Sequence, residues 1–123
     1  MKTTRYFEED VPGPLLSSLD RELRDLYGER YRGLVLYGSY SRGEANEGSD
    51  VDLLLLLDGE VNTGREIRRV SRIVAPLSLE SGYGLSVIPV RIEDYLDSGD
   101  PFLVNARREG IEVVSPAGEA RAA

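Results

Sequence analysis

Apolar positions along the chain switch between two periods. Leu15, Leu16, Leu19, Leu23 and Leu26 recur three to four residues apart, which predicts a helix through about Tyr27, closed by Gly28. Two apolar runs follow at residues 33–37 and 51–57. Runs this short and dense in Leu and Val predict buried strands, and Asp58-Gly59 turns the chain out of the second. Over residues 63–81, Ile67, Val70, Ile73, Val74 and Leu77 mark one side of a long helix, which Pro76 is expected to kink or split. Residues 85–90 predict a third strand and 92–97 a short helix. Asp100-Pro101 opens another helix as cap and first-turn proline, and Gly110 stops it. Residues 111–114 read as a last short strand, and no internal repeat is visible. The order predicts an α/β (α+β) fold, a small mixed sheet of about four strands flanked by helices. The expected domain is 15–115, after a loose, Pro-punctuated lead-in over 1–14 and before a frayed tail over 116–123.

The chemistry concentrates between the first two strands. Gly38-Ser39 closes the first apolar run, ten residues intervene, and Asp50-Val51-Asp52 opens the second. Strand side chains alternate between faces, so Asp50 and Asp52 project to the same side. Carboxylates that close repel each other unless a cation lies between them. An oxygen-only pair favours a hard cation, and Mg2+ takes one or two carboxylates together with substrate phosphates. Gly38 allows close backbone approach, and the Ser39 hydroxyl and amide can bond phosphate oxygens. Arg42 offers a forked donor for phosphate, and Ser49 stands beside the acid pair. Gly-Ser pairs are common in loops and Asp-x-Asp is common at strand starts. Both together, each at the edge of an apolar run, point to a nucleoside triphosphate with its magnesium.

Composition narrows the chemistry further. The 123 residues are 41% hydrophobic and 30% charged, with no Cys and no His. A thiolate or imidazole metal site and a His base are thereby excluded from this chain. No run reaches the roughly 18 apolar residues of a membrane span, and residues 1–6 lack an apolar signal core, so a cytoplasmic protein is expected. The net charge of −7 argues against general nucleic-acid binding, which needs a surplus of Lys and Arg. Arg65, Arg68, Arg69 and Arg72 nevertheless fall on one helix face. A solvated surface accounts for them, and a docking face for an acidic partner or an RNA phosphate is the functional alternative.

Gly38-Ser39, ten residues, then Asp50-x-Asp52 resembles the signature of the polymerase-beta-like nucleotidyltransferase superfamily. The segments 36–43 and 48–54 are similar to those of the minimal nucleotidyltransferase (MNT) domains, as are Pro101-Phe102-Leu103 and Arg108-Glu109-Gly110-Ile111 farther on. The resemblance spans about residues 15–114. It implies the nucleotidyltransferase fold, Mg2+ on Asp50 and Asp52 as catalytic carboxylates, and ATP as substrate gripped by Gly38, Ser39, Arg42 and Ser49. It also implies a HEPN-domain partner in a toxin–antitoxin pair, hence a hetero-oligomer, with the HEPN tyrosine as acceptor of AMP.

The resemblance has one gap. The superfamily usually completes its site with a third carboxylate on the strand after the long helix. Here that strand reads Leu85-Ser86-Val87-Ile88-Pro89-Val90. Ser86 stands at that position, but a neutral hydroxyl cannot replace the charge, so Glu80 upstream or a partner's acid remain open as its source, as do slow or substrate-assisted transfer and nucleotide binding without turnover. Two further readings stand beside protein adenylylation. One is a catalytically silent subunit that neutralises its partner by contact. The other is a small-molecule nucleotidyltransferase, disfavoured because no segment resembles a substrate-binding extension.

Overall fold

The computed structural model describes residues 13–46 and 48–114; the expected lead-in, apart from residues 13 and 14, and the expected tail over 116–123 lie outside them. Helix α1 (Gly13–Tyr27) leads through a 3-10 turn, Gly28–Arg30, into β1 (Tyr31–Tyr37). A 3-10 turn, Gly38–Tyr40, and a loop connect β1 to β2 (Val51–Leu57). Then come α2 (Thr63–Ser81), β3 (Leu85–Arg91), α3 (Ile92–Asp97), α4 (Pro101–Glu109) and β4 (Ile111–Val114). The four-stranded sheet has the order β3-β2-β1-β4, so the expected mixed sheet of four strands is present. β1 runs antiparallel to β2 and β4, whereas β2 and β3 are parallel across the α2 crossover.

The continuous Leu run of β2 follows from its place in the sheet. The strand lies between two others, and Leu53 to Leu57 are each 0% exposed. Strands covered on both faces lose the polar half of the alternation. One face, with Leu34, Leu36, Val51, Leu53 and Leu55, packs against Leu16, Leu19 and Leu23 of α1 and Val70 of α2. The other face, with Val35, Leu54 and Leu56, packs against Ile92 and Tyr95 of α3 and Ala106 of α4. Burying each such leucine stabilises the fold by about 1.5–3 kcal/mol.

Three local expectations are corrected. Helix α2 is not split at Pro76, which lies inside it and is exposed. The missing hydrogen bond therefore falls on the solvent side, where water can satisfy the freed carbonyl. Leu26 and Ile67, read as core positions, are 39% and 44% exposed. Their places are taken by Tyr27 and by a charged residue, Glu66, which is 3% exposed.

Glu66 can be buried because its oxygens are engaged. The Tyr27 hydroxyl donates to it at 2.7 Å, and the guanidinium groups of Arg30 and Arg69 each approach at 3.7 Å. Tyr27 also lies beneath both arginines. Glu66→Ala strands a buried phenol, so a loss of about 2 kcal/mol is expected. Glu66→Gln keeps an acceptor and should recover much of it. Chemical denaturation of the three proteins reads this order, and equal midpoints would contradict it.

Candidate active site

Strand register assembles the site. Tyr37 of β1 pairs with Asp52 of β2, and Asp52 pairs with Ser86 of β3. Opposed residues share a face, so Tyr37, Asp52 and Ser86 form a row on the face of Val35, Leu54 and Leu56. Helices α3 and α4 cover the inner part of this face. Asp50 and Asp52, two positions apart, lie at the leading edge of β2 as the alternation requires, with Asp50 exposed and Asp52 half-buried.

Two glycines press against the acids. A Cβ on Gly38 would overlap the Asp52 carboxylate, and one on Gly84 would overlap that of Asp50. Gly38 also has a φ of +77°, a left-handed conformation that costs any other residue strain. From Gly38 the chain winds into the 3-10 turn, where the Gly38 carbonyl accepts from the Ser41 amide at 3.1 Å and the Ser41 hydroxyl at 2.8 Å. Among the described residues the Ser39 hydroxyl has no hydrogen-bond partner, which leaves it available to a ligand. Arg42 is exposed and held at 2.9 Å from Glu44 and 3.9 Å from Glu109. Ser49 belongs to a loop turn, accepting from the Asn46 amide at 3.0 Å.

Burial pushes the Asp52 carboxyl above its ordinary range, the Asp50 charge pushes it further, and Arg42 opposes both. Tyr37 is pushed up to about 12, first by burial and then by the charge of Asp52. A cation between the acids would relieve the repulsion. Among the described residues no group of three or more acidic or imidazole or thiol side chains could hold a metal. Two carboxylates completed by substrate phosphates are the donor set that suits Mg2+, so the residues present fit that ion.

The raised Asp52 gives a signed prediction. An acid whose folded-state pKa exceeds its unfolded value, about 3.9, favours folding when protonated. That advantage is lost as pH rises through the folded-state value. Without metal, Asp52→Asn should therefore match the parent Tm near pH 3 and exceed it at pH 7. A variant less stable than the parent at pH 7 would assign Asp52 a structural role.

A cleft of about 280 Å3 adjoins the row, lined by Tyr37, Gly38, Arg42, Phe102, Asn105, Ala106 and Glu109. The α4 residues of this wall were not singled out as site residues from sequence. Their signal is the spacing Phe102, Asn105, Ala106, Glu109, one face of a helix. Glu80 is exposed on α2, whose apolar residues pack on the opposite sheet face. The arginines of α2 are all exposed. Arg65 and Arg69 line a wider concavity with Arg30, Glu66 and Arg91 at the far end of the sheet. Arg30 and Arg69 already serve Glu66 there. Among the described residues no helix is long and apolar enough to cross a membrane.

Comparison with known proteins adds three findings. The family model described as the nucleotidyltransferase domain matches residues 16–109. Two proteins of Methanocaldococcus jannaschii, both named putative protein adenylyltransferases, are similar in sequence. One is 29% identical over 109 residues, covering 89% of this chain and 93% of its own. The other is 28% identical over 86 residues, covering 70% and 58%. In fold, the chain is similar to a crystal structure described as a putative nucleotidyltransferase from Sulfolobus solfataricus. The TM-score is 0.65 at 16% identity, over 97% of this chain and 88% of that one. It is also similar to the crystal structure of a toxin–antitoxin with AMP-PNP, with a TM-score of 0.60 at 15% identity, over 85% and 74%. The family match takes in the whole segment from Gly38 to Asp52 and three of the four strands, and the chain belongs to the nucleotidyltransferase domain family.

Proposed function

We propose that this chain binds Mg-ATP and transfers AMP to a protein hydroxyl, the tyrosine of a HEPN partner, as the antitoxin of the pair. The observation that carries the reading is the acid pair Asp50 and Asp52 beside the Gly38–Tyr40 turn. The adenylyltransferase names of the relatives and the toxin–antitoxin fold neighbour support the acceptor and the partner.

In this reading Asp50 and Asp52 hold the metal, and Gly38 keeps the backbone clear of Asp52. The Ser39 hydroxyl and nearby amides grip the outer phosphates, with Arg42 as a further donor. The acceptor hydroxyl attacks the α-phosphorus in line and pyrophosphate leaves. Mg2+, when bound, supplies charge neutralisation on the attacking and leaving oxygens. With no His in the chain, orientation and charge stabilisation carry most of the barrier reduction.

The neutral Ser86 in register with Asp52 favours a second reading, a nucleotide-binding subunit that silences its partner by contact. Incubation with Mg2+, ATP and a helical partner, followed by intact mass measurement, separates the two. The first reading predicts one added nucleotidyl mass on the partner. A silenced partner of unchanged mass selects the second, and a chain that binds no nucleotide contradicts both.

Ser86→Asp places a carboxylate beside Asp52, and its expected effect on transfer at saturating ATP is a rise of about a hundredfold, the low end of general-base catalysis. An unchanged rate, with Glu80→Gln abolishing transfer, would assign the acid to Glu80.

A further inference from the structure

We propose that the cleft between the end of β1 and α4 is a nucleobase subsite that takes a purine, with Phe102 against the ring and Glu109 accepting from its N–H edge. The inference rests on the nucleotide-binding reading above and names the part of the ligand that reading leaves unplaced.

The cleft has two chemically distinct ends. Gly38 and Arg42 form the end nearest the acids. The other end is a flat wall on α4. Phe102 is 45% exposed although it meets the Tyr37 ring edge to face, with centroids 5.4 Å apart at 87°. That contact fixes the ring while leaving one side of it uncovered. Ala106, buried between the larger side chains, gives the cleft a small floor.

The polar groups are placed for a base edge. Asn105 Oδ1 accepts from the Arg108 guanidinium at 3.0 Å. An arginine only donates, so this contact assigns the amide orientation and leaves the Asn105 NH2 group to face a ligand. Glu109 stands one turn farther along α4 as an acceptor. The wall thus offers a ring surface, one donor and one acceptor, next to a phosphate-sized turn. Phe102 and Glu109 stand about 10 Å apart along the helix axis. A two-ring base spans that distance better than a single ring does. Adenine and guanine both carry N–H groups for Glu109 and ring or carbonyl acceptors for Asn105.

Arg42 links the two ends, since Glu109 is one of its two carboxylate partners. Removing Glu109 therefore affects base and phosphates in opposite senses. It deletes an acceptor for the base and releases Arg42 towards the phosphates.

Calorimetry with the magnesium salts of ATP, UTP and tripolyphosphate tests the proposal on the full chain and on Phe102→Ala and Glu109→Ala. The parent should bind ATP at least about tenfold more tightly than tripolyphosphate, as base–aromatic stacking allows, and more tightly than UTP, whose single ring spans the wall from Phe102 to Glu109 less well. Both variants should lose most of that preference while tripolyphosphate affinity holds, or rises in Glu109→Ala. Equal affinity of the parent for all three ligands, or a preference that survives both substitutions, overturns the subsite and leaves the phosphate reading standing. If none of the three ligands binds the parent, the nucleotide reading falls and takes the subsite with it.

Discussion

Changing Asp50 and Asp52 together to Asn should abolish the Mg2+ dependence of ATP binding and reduce transfer by about a thousandfold or more. Metal assistance contributes several kcal/mol to such displacements, and each 1.36 kcal/mol is about a factor of ten in rate. The fold should survive, because Asp50 is exposed, Asp52 is half-buried, and neither forms an ion pair among the described residues. Removing a carboxylate disfavoured first by burial and then by the Asp50 charge should even stabilise the metal-free protein. Loss of ATP binding in a variant that melts no lower than the parent would separate a ligand site from a structural one. Unchanged Mg-ATP binding would remove the acids from the site altogether.

Gly38→Ala should be nearly as damaging to transfer, for a different reason. At a φ of +77° the added Cβ costs strain of about 1–2 kcal/mol. It also occupies the space of the Asp52 carboxylate, which must move. A displacement near 1 Å at a reacting centre can cost about a hundredfold. Gly28 is the internal control. It has a φ of +56° but nothing within 4 Å of an added Cβ. Gly28→Ala should therefore show similar strain with nucleotide binding intact. If both variants lose binding equally, strain alone accounts for the loss and the contact with Asp52 does not matter.

The parts of this fold that hydrophobic period and turn chemistry dictate were legible in the sequence. The continuous Leu run of β2 and the Asp100-Pro101 start of α4 each express a local rule and stand where expected; α4 also ends at Gly110, but in an extended conformation rather than a left-handed cap, where a Cβ would meet the Ala106 carbonyl and Val35. The alternation rule also placed Asp50 and Asp52 on one edge before any register was known. What escaped depends on contacts distant in sequence. Glu66 lies in a charged stretch that reads as solvated, yet Tyr27, thirty-nine residues away, makes its burial tolerable. Ile67 gave up its core position to that acid. Pro76 reads as a helix breaker, but its exposed position lets the helix continue. Gly38 reads from sequence as clearance for a ligand, and its contact with the Asp52 carboxylate, which a Cβ would overlap, is visible only in the fold. The α4 wall of the cleft became visible only when β1 brought Tyr37 against Phe102.

Nucleotidyl transfer leaves the α-phosphate on the acceptor and releases pyrophosphate. ATP labelled at the α-phosphate or at the γ-phosphate distinguishes this from every other use of the same cradle. With Mg2+ and the acceptor protein present, label should enter the acceptor from the α-position only, with labelled pyrophosphate released from the γ-labelled substrate. Label entering from the γ-position would make the chain a phosphoryl-transfer enzyme and contradict the account.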